Sequence, residues 1–166
     1  MQGKKEVRKL FVGAARVYPE ECLRLISATL TALPSPLSSA PFPATEAALK
    51  LVLAYGDCGV LNSSHVKEGA FPGVVKALHE SDVGHHPHVQ IRLNYFELSA
   101  RYARQCSMES IHRIVSVLIS EKGMRDSDAQ VRCRAAYFFL KVVESCSDKA
   151  GDLLPIVGTF SGKTAS

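Results

Sequence analysis

The sequence predicts an all-α protein built as a solenoid of stacked antiparallel helix hairpins, about three and a half of them. Three observations carry this. First, residues 89–98 (VQIRLNYFEL) and 131–140 (VRCRAAYFFL) repeat each other: Val89 matches Val131, Arg92 matches Arg134, Tyr95 matches Tyr137, Phe96 matches Phe138 and Leu98 matches Leu140. The two segments lie 42 positions apart, and an internal period in the forties marks a stacked helical-repeat array. Second, apolar residues recur at helical spacing through seven segments, with few credible strands. Third, proline and glycine punctuate the segments, at Pro19, through the loop 34–43, at Gly56 and Gly59, and at Gly123.

Each element follows from its residues. Lys4–Val17 places Val7, Leu10, Phe11, Ala14 and Val17 on one stripe. Pro19 opens a second helix with Glu20 and Glu21 in its first turn, where the helix dipole favours acids. Its apolar face is Cys22, Leu23, Ile26, Leu30 and Leu33. Residues 34–43, PSPLSSAPFP, are too rich in proline for a helix and read as a loop. Thr45 then caps a third helix running to about Tyr55, closed by Gly56 and Gly59. A fourth spans about 67–80 with Phe71, Val74, Val75 and Leu78 inward, Pro72 marking its regular start. The fifth covers Val89–Arg104 and the sixth Glu109–Lys122, punctuated by Gly123. The seventh covers Ser127–Cys146, capped by Ser127 or Asp128.

Starts near 4, 45, 88 and 128 define one helix class, and starts near 19, 68 and 109 a second. Two alternating classes at a period of about 40–47 residues give the spacing of HEAT repeats. The segment 126–140 has the matching local pattern: Asp126 in the inter-helix turn, then Val131-Arg132, then Ala135. Val131 and Ala135 lie one turn apart and face the stack, where alanine lets helices approach closely. The array is expected over residues 1–151, with a divergent, disordered tail over 152–166. It reads as an internal slice of a larger solenoid, since such arrays need polar capping repeats. Both ends are then expected to expose apolar helix faces and to promote self-association.

Composition narrows the function classes. A net charge of +4 permits a polyanionic partner without requiring one. No apolar run is long enough to span a bilayer, and the charged N-terminus lacks a signal-peptide core, so an intracellular chain is expected. Cys22, Cys58, Cys106, Cys133 and Cys146 are scattered with no C-x-x-C spacing, which suggests buried thiols rather than a zinc site or disulfides. The tail stretch GTFSGKT misses the phosphate-loop register because Val157 stands where its first glycine should be. His85, His86 and His88 read as a solvated loop rather than a metal site; His65, His79 and His112 are isolated and expected at or near the surface. No catalytic signature is present, and neither enzymatic activity nor a cofactor is expected.

The basic residues suggest a use for the array. Arg92, Arg101, Arg104, Arg132, Arg134 and Lys141 recur along one helix class, with Arg92 and Arg134 at matched positions of the duplicated segment. Arginine suits phosphate because its planar fork donates two parallel hydrogen bonds. Pairing with acids of neighbouring repeats is the alternative, and it is the reading preferred for Arg132, with Asp126 or Asp128 as partner. For Arg101, Arg104 and Lys141 both roles stay open.

Residues 85–146 resemble the exportin-T family of the importin-β (karyopherin) superfamily. The resemblance lies in the aromatic-rich helix ending in Arg101-Tyr102, the turn Gly123-Met124-Arg125, and the helix carrying Val131-Arg132-Cys133-Arg134 with Tyr137 and Phe139. Residues 6–60 resemble the preceding repeats more loosely. Ile111-His112 lacks a proline usual there, and Gln130 stands where lysine is common. The resemblance implies a carrier that shuttles between nucleus and cytoplasm, loading tRNA with Ran-GTP and passing nuclear pore proteins, with no membrane contact. It implies that Ran-GTP is met through regions outside this chain. Arg92, Arg101, Arg104, Arg125, Arg134 and Lys141 are then the candidate RNA contacts, aimed at phosphates rather than base edges. A HEAT scaffold that binds only proteins is the alternative.

Overall fold

A computed structural model describes residues 2–58 and 70–147. The tail 152–166 with its phosphate-loop-like stretch, Gly59, His65 and the first residues expected of the fourth helix lie outside them. The described residues hold seven α-helices and are all-α, of HEAT type: α1 (Gln2–Val17), α2 (Pro19–Thr31), α3 (Phe42–Gly56), α4 (Phe71–Glu80), α5 (Val89–Tyr102), α6 (Met108–Ile119) and α7 (Ala129–Ser145). They fall into two compact units, one up to Tyr95 and one from Phe96 onward.

In the first unit α1, α2 and α3 pack on one another. Ala15, Cys22, Ile26, Ala48, Leu49 and Val52 form the buried seam, and small residues at the crossing permit close approach. Arg8 pairs with Asp57, and Arg16 Nε donates to the Cys58 carbonyl at 3.1 Å, so α1 is tied to the end of α3. Much of the apolar stripe of α1 faces outward: Val7, Leu10 and Val17 are 65%, 74% and 67% exposed. One expected apolar face is therefore bare.

The third helix begins earlier than its sequence suggests. Pro43 sits in the first turn, where a missing N–H is harmless, so the helix starts at Phe42. The Thr45 hydroxyl is consequently buried and donates to the Pro41 carbonyl at 3.0 Å instead of capping the end. The preceding loop contains a 3-10 turn, Leu37–Ser39, which packs against a second at Val83–His85. Asp82 holds them together by accepting from the Ser38 hydroxyl and, at 3.1 Å, from the Ser38 N–H. Burial opposes ionisation of Asp82, but these hydrogen bonds outweigh it and keep the carboxyl below its ordinary range.

The histidine loop is solvated at His85 and His88, which are exposed, but not at His86, which is structural. His86 is buried; its Nε2 donates to the Ala40 carbonyl at 3.0 Å and its Nδ1 accepts from the His88 N–H at 3.0 Å. His88 stacks on Phe42, ring centroids 3.6 Å apart. His79 is also buried, its ring edge-on to Tyr95 at 6.1 Å, where the sequence suggested a surface position. Burial pushes its pKa down to about 4.

In the second unit α6 and α7 pair, with Ile111, Ile114, Val115 and Leu118 facing Val131, Ala135, Phe138 and Val142 across the core. Ser107 caps α6 and Asp128 caps α7, the latter accepting from the N–H groups of Gln130 and Val131. The α6–α7 turn needs Gly123, because a Cβ there would lie 2.0 Å from the Leu118 carbonyl oxygen. The Cys146 Sγ donates to Ala103 O at 3.7 Å, within the 3-10 turn Ala103–Gln105. Cys22, Cys58 and Cys146 are buried as expected, but Cys106 is half-buried and Cys133 exposed, since Cys133 lies off the Val131–Ala135–Phe138 stripe.

Candidate nucleic-acid interface

The sequence nominates six basic residues, and three of them meet in one groove of the second unit. Glu97, Ala100 and Arg101 of α5 form one wall; Arg134, Tyr137, Phe138, Lys141 and Ser145 of α7 form the other. The groove is shallow and open to solvent, with a volume of about 340 Å³. Helical spacing explains the α7 wall: positions 134, 137, 141 and 145 are three or four apart and therefore share a face. Next to it runs the buried stripe of Val131, Ala135, Phe138 and Val142, which anchors the helix.

Cations and aromatic rings alternate along that wall. The Arg134 guanidinium lies 4.8 Å from the Phe138 ring centroid and 5.6 Å from that of Tyr137, and Lys141 Nζ lies 5.9 Å from the Tyr137 centroid. Tyr137 and Phe138 are edge-on at 5.1 Å, so the buried Phe138 steadies the exposed Tyr137. Lys141 also donates to Glu144 at 2.8 Å, which holds its ammonium charged above the usual lysine range. Arg101 pairs with Glu97 on the opposite wall. Ion pairs and cation–π contacts this exposed add little stability. A phosphate can therefore recruit these cations at small loss, while base–aromatic stacking adds roughly 1–3 kcal/mol.

The other nominated residues are placed differently. Arg104 is exposed in the 103–105 turn, outside the groove. Arg125 serves the end of α6: its Nε donates to the Ile119 carbonyl at 3.0 Å, and Glu121 lies 3.6 Å away. Arg92 is 3% exposed in the first unit, and its Nη1 donates to the carbonyls of His86 and Pro87 at 3.0 and 2.7 Å. It fastens a turn and is not a surface contact, unlike the exposed Arg134 that it matches in the duplicated segment. Arg132 is structural, as read from sequence, but its Nη1 donates to the backbone carbonyls of Asp126 and Ser127, both at 2.8 Å, not to a carboxylate. Sequence reasoning did not include Tyr137 among the site residues, although its spacing from Arg134 and Lys141 places it on their face. Among the described residues no cluster of His, Cys, Asp or Glu is arranged to hold a metal, and no helix is long and apolar enough to cross a membrane.

A family model described as Exportin-T matches residues 12–157. The chain is 26% identical over 150 residues to Exportin-T of Pongo abelii and 25% identical over 150 residues to that of Homo sapiens, covering 86% of the chain in each case. It is 24% identical over 156 residues to Exportin-T of Arabidopsis thaliana, covering 93% of the chain. The matched part spans 16% of the length of each of these relatives. No solved structure matches the chain. With most of its length matched by one family model, the chain belongs to the exportin-T family.

Proposed function

We propose that this chain is the central part of a tRNA nuclear export receptor. The complete protein loads tRNA together with Ran-GTP in the nucleus, passes nuclear pore proteins, and releases its cargo in the cytoplasm. Family membership along residues 12–157 is the observation that carries this reading. The grouping of Arg101, Arg134 and Lys141 around an exposed tyrosine supports an RNA contact within this chain. Ran-GTP and pore proteins are assigned to parts of the protein outside it. The role is carriage rather than catalysis, with tRNA selected by shape and backbone contacts.

The test is capture of tRNA by the full protein with and without Ran-GTP. The reading expects retention that depends on the GTP form of Ran and falls as salt rises. Capture indifferent to Ran would defeat the exporter reading. Absence of tRNA capture, with retention of proteins instead, would favour a protein-binding HEAT scaffold.

A further inference from the structure

We propose that the groove between α5 and α7 takes one unpaired nucleotide, its base stacked on Tyr137 and its phosphates held by Lys141 and Arg134. The inference rests on the reading that this family member meets RNA, and it adds which form of RNA this face accepts.

Tyr137 carries the argument. Tyr137 is 48% exposed, yet its ring is fixed from the side by Phe138 at 5.1 Å, and Arg134 and Lys141 lie over it at 5.6 and 5.9 Å from the centroid. Duplex RNA keeps its base faces inside the stack and offers a protein its phosphates and 2′-hydroxyls. An exposed ring gains nothing from such a partner, whereas an unpaired base presents a face to it. A base that stacks on Tyr137 displaces Arg134 and Lys141 from over the ring, and contacts this exposed hold them weakly enough to swing to its flanking phosphates. On the far wall Arg101 and Glu97 neutralise each other, whereas Arg134 on α7 has aromatic rings rather than a carboxylate beside it. A volume of about 340 Å³ is at the small end of ligand clefts, suited to one nucleotide rather than a helix.

The experiment measures affinity of the 166-residue chain for a short single-stranded oligocytidine and for a short RNA duplex, by fluorescence anisotropy at low salt. Wild type is expected to prefer the single strand. Tyr137→Ala should weaken single-strand binding about tenfold and leave duplex binding unchanged, while Tyr137→Phe should retain both. Circular dichroism checks that the variants fold. Unchanged single-strand affinity in Tyr137→Ala, with Lys141→Gln weakening both RNAs, would overturn the stacking site but leave RNA contact standing. Wild type that binds neither RNA would overturn both.

Discussion

Arg92 and Arg132 make the same pair of hydrogen bonds in two different turns. Each Nη1 donates to the carbonyls six and five residues before it: His86 and Pro87 for Arg92, Asp126 and Ser127 for Arg132. The match extends through both turns. His86 accepts from the His88 N–H as Asp126 accepts from that of Asp128. His88 and Asp128 then accept from the N–H groups of Gln90 and Gln130. Two histidines thus do the work of two aspartates, and the structural period here is forty residues.

Replacing either arginine by methionine keeps the apolar stem and removes the clamp. Arg92→Met should lower stability by about 2–3 kcal/mol, because a buried carbonyl and a part-buried one lose a charged donor. Arg132→Met, at a more exposed turn, should lose about 1–2 kcal/mol. Urea unfolding read by circular dichroism measures both, and equal, negligible losses would refute the clamp.

His79 makes stability depend on pH. Its native pKa is about 4, against about 6.5 unfolded, so between those values the unfolded chain binds a proton that the native one does not. Stability is therefore full above pH ~6.5 and falls as pH drops towards 4, by about 3 kcal/mol in total. His79→Gln should flatten this slope in urea melts recorded across that range. Asp82, held low by Ser38, adds its own loss only at more acid pH.

Gly123→Ala should destabilise by about 1–3 kcal/mol, the usual range for overpacking. The new methyl would meet the Leu118 carbonyl, and backbone cannot swing aside as a side chain can. A lower urea midpoint is the expected result; an unchanged one would show that the α6–α7 turn re-forms freely.

The bare stripe of α1 should drive self-association, since Val7, Leu10 and Val17 lie on one side of the helix. Sedimentation velocity should show apparent mass rising with concentration, and Leu10→Gln with Val17→Gln should reduce the rise. A chain that stays monomeric at all concentrations would rule this out.

Local signals were legible in the sequence, and signals made by packing were not. Pro19 and Asp128 mark helix starts through their own backbone chemistry, and the structure has helices beginning at or just after each. Pro43 was read as loop, because a proline at a first turn looks like a proline in a loop until its neighbours are placed. Letter identity set the repeat at 42, pairing buried Tyr95 with exposed Tyr137. Two residues of slip turn a helix by about 200°, which is how Arg92 was matched to Arg134 instead of Arg132. At a slip of forty, Ile91, Tyr95, Leu98 and Tyr102 fall on Val131, Ala135, Phe138 and Val142, all buried. The groove was half legible: Arg101, Arg134 and Lys141 were nominated as cations, but which stay at the surface depended on that phase.

The most direct test of RNA contact in this chain is the salt dependence of tRNA binding by the full protein with Ran-GTP present. The account expects log affinity to fall linearly with log salt, and Arg134→Gln with Lys141→Gln to flatten the slope by about 0.7–0.9 per phosphate contact removed. A slope identical in wild type and the double variant would contradict it.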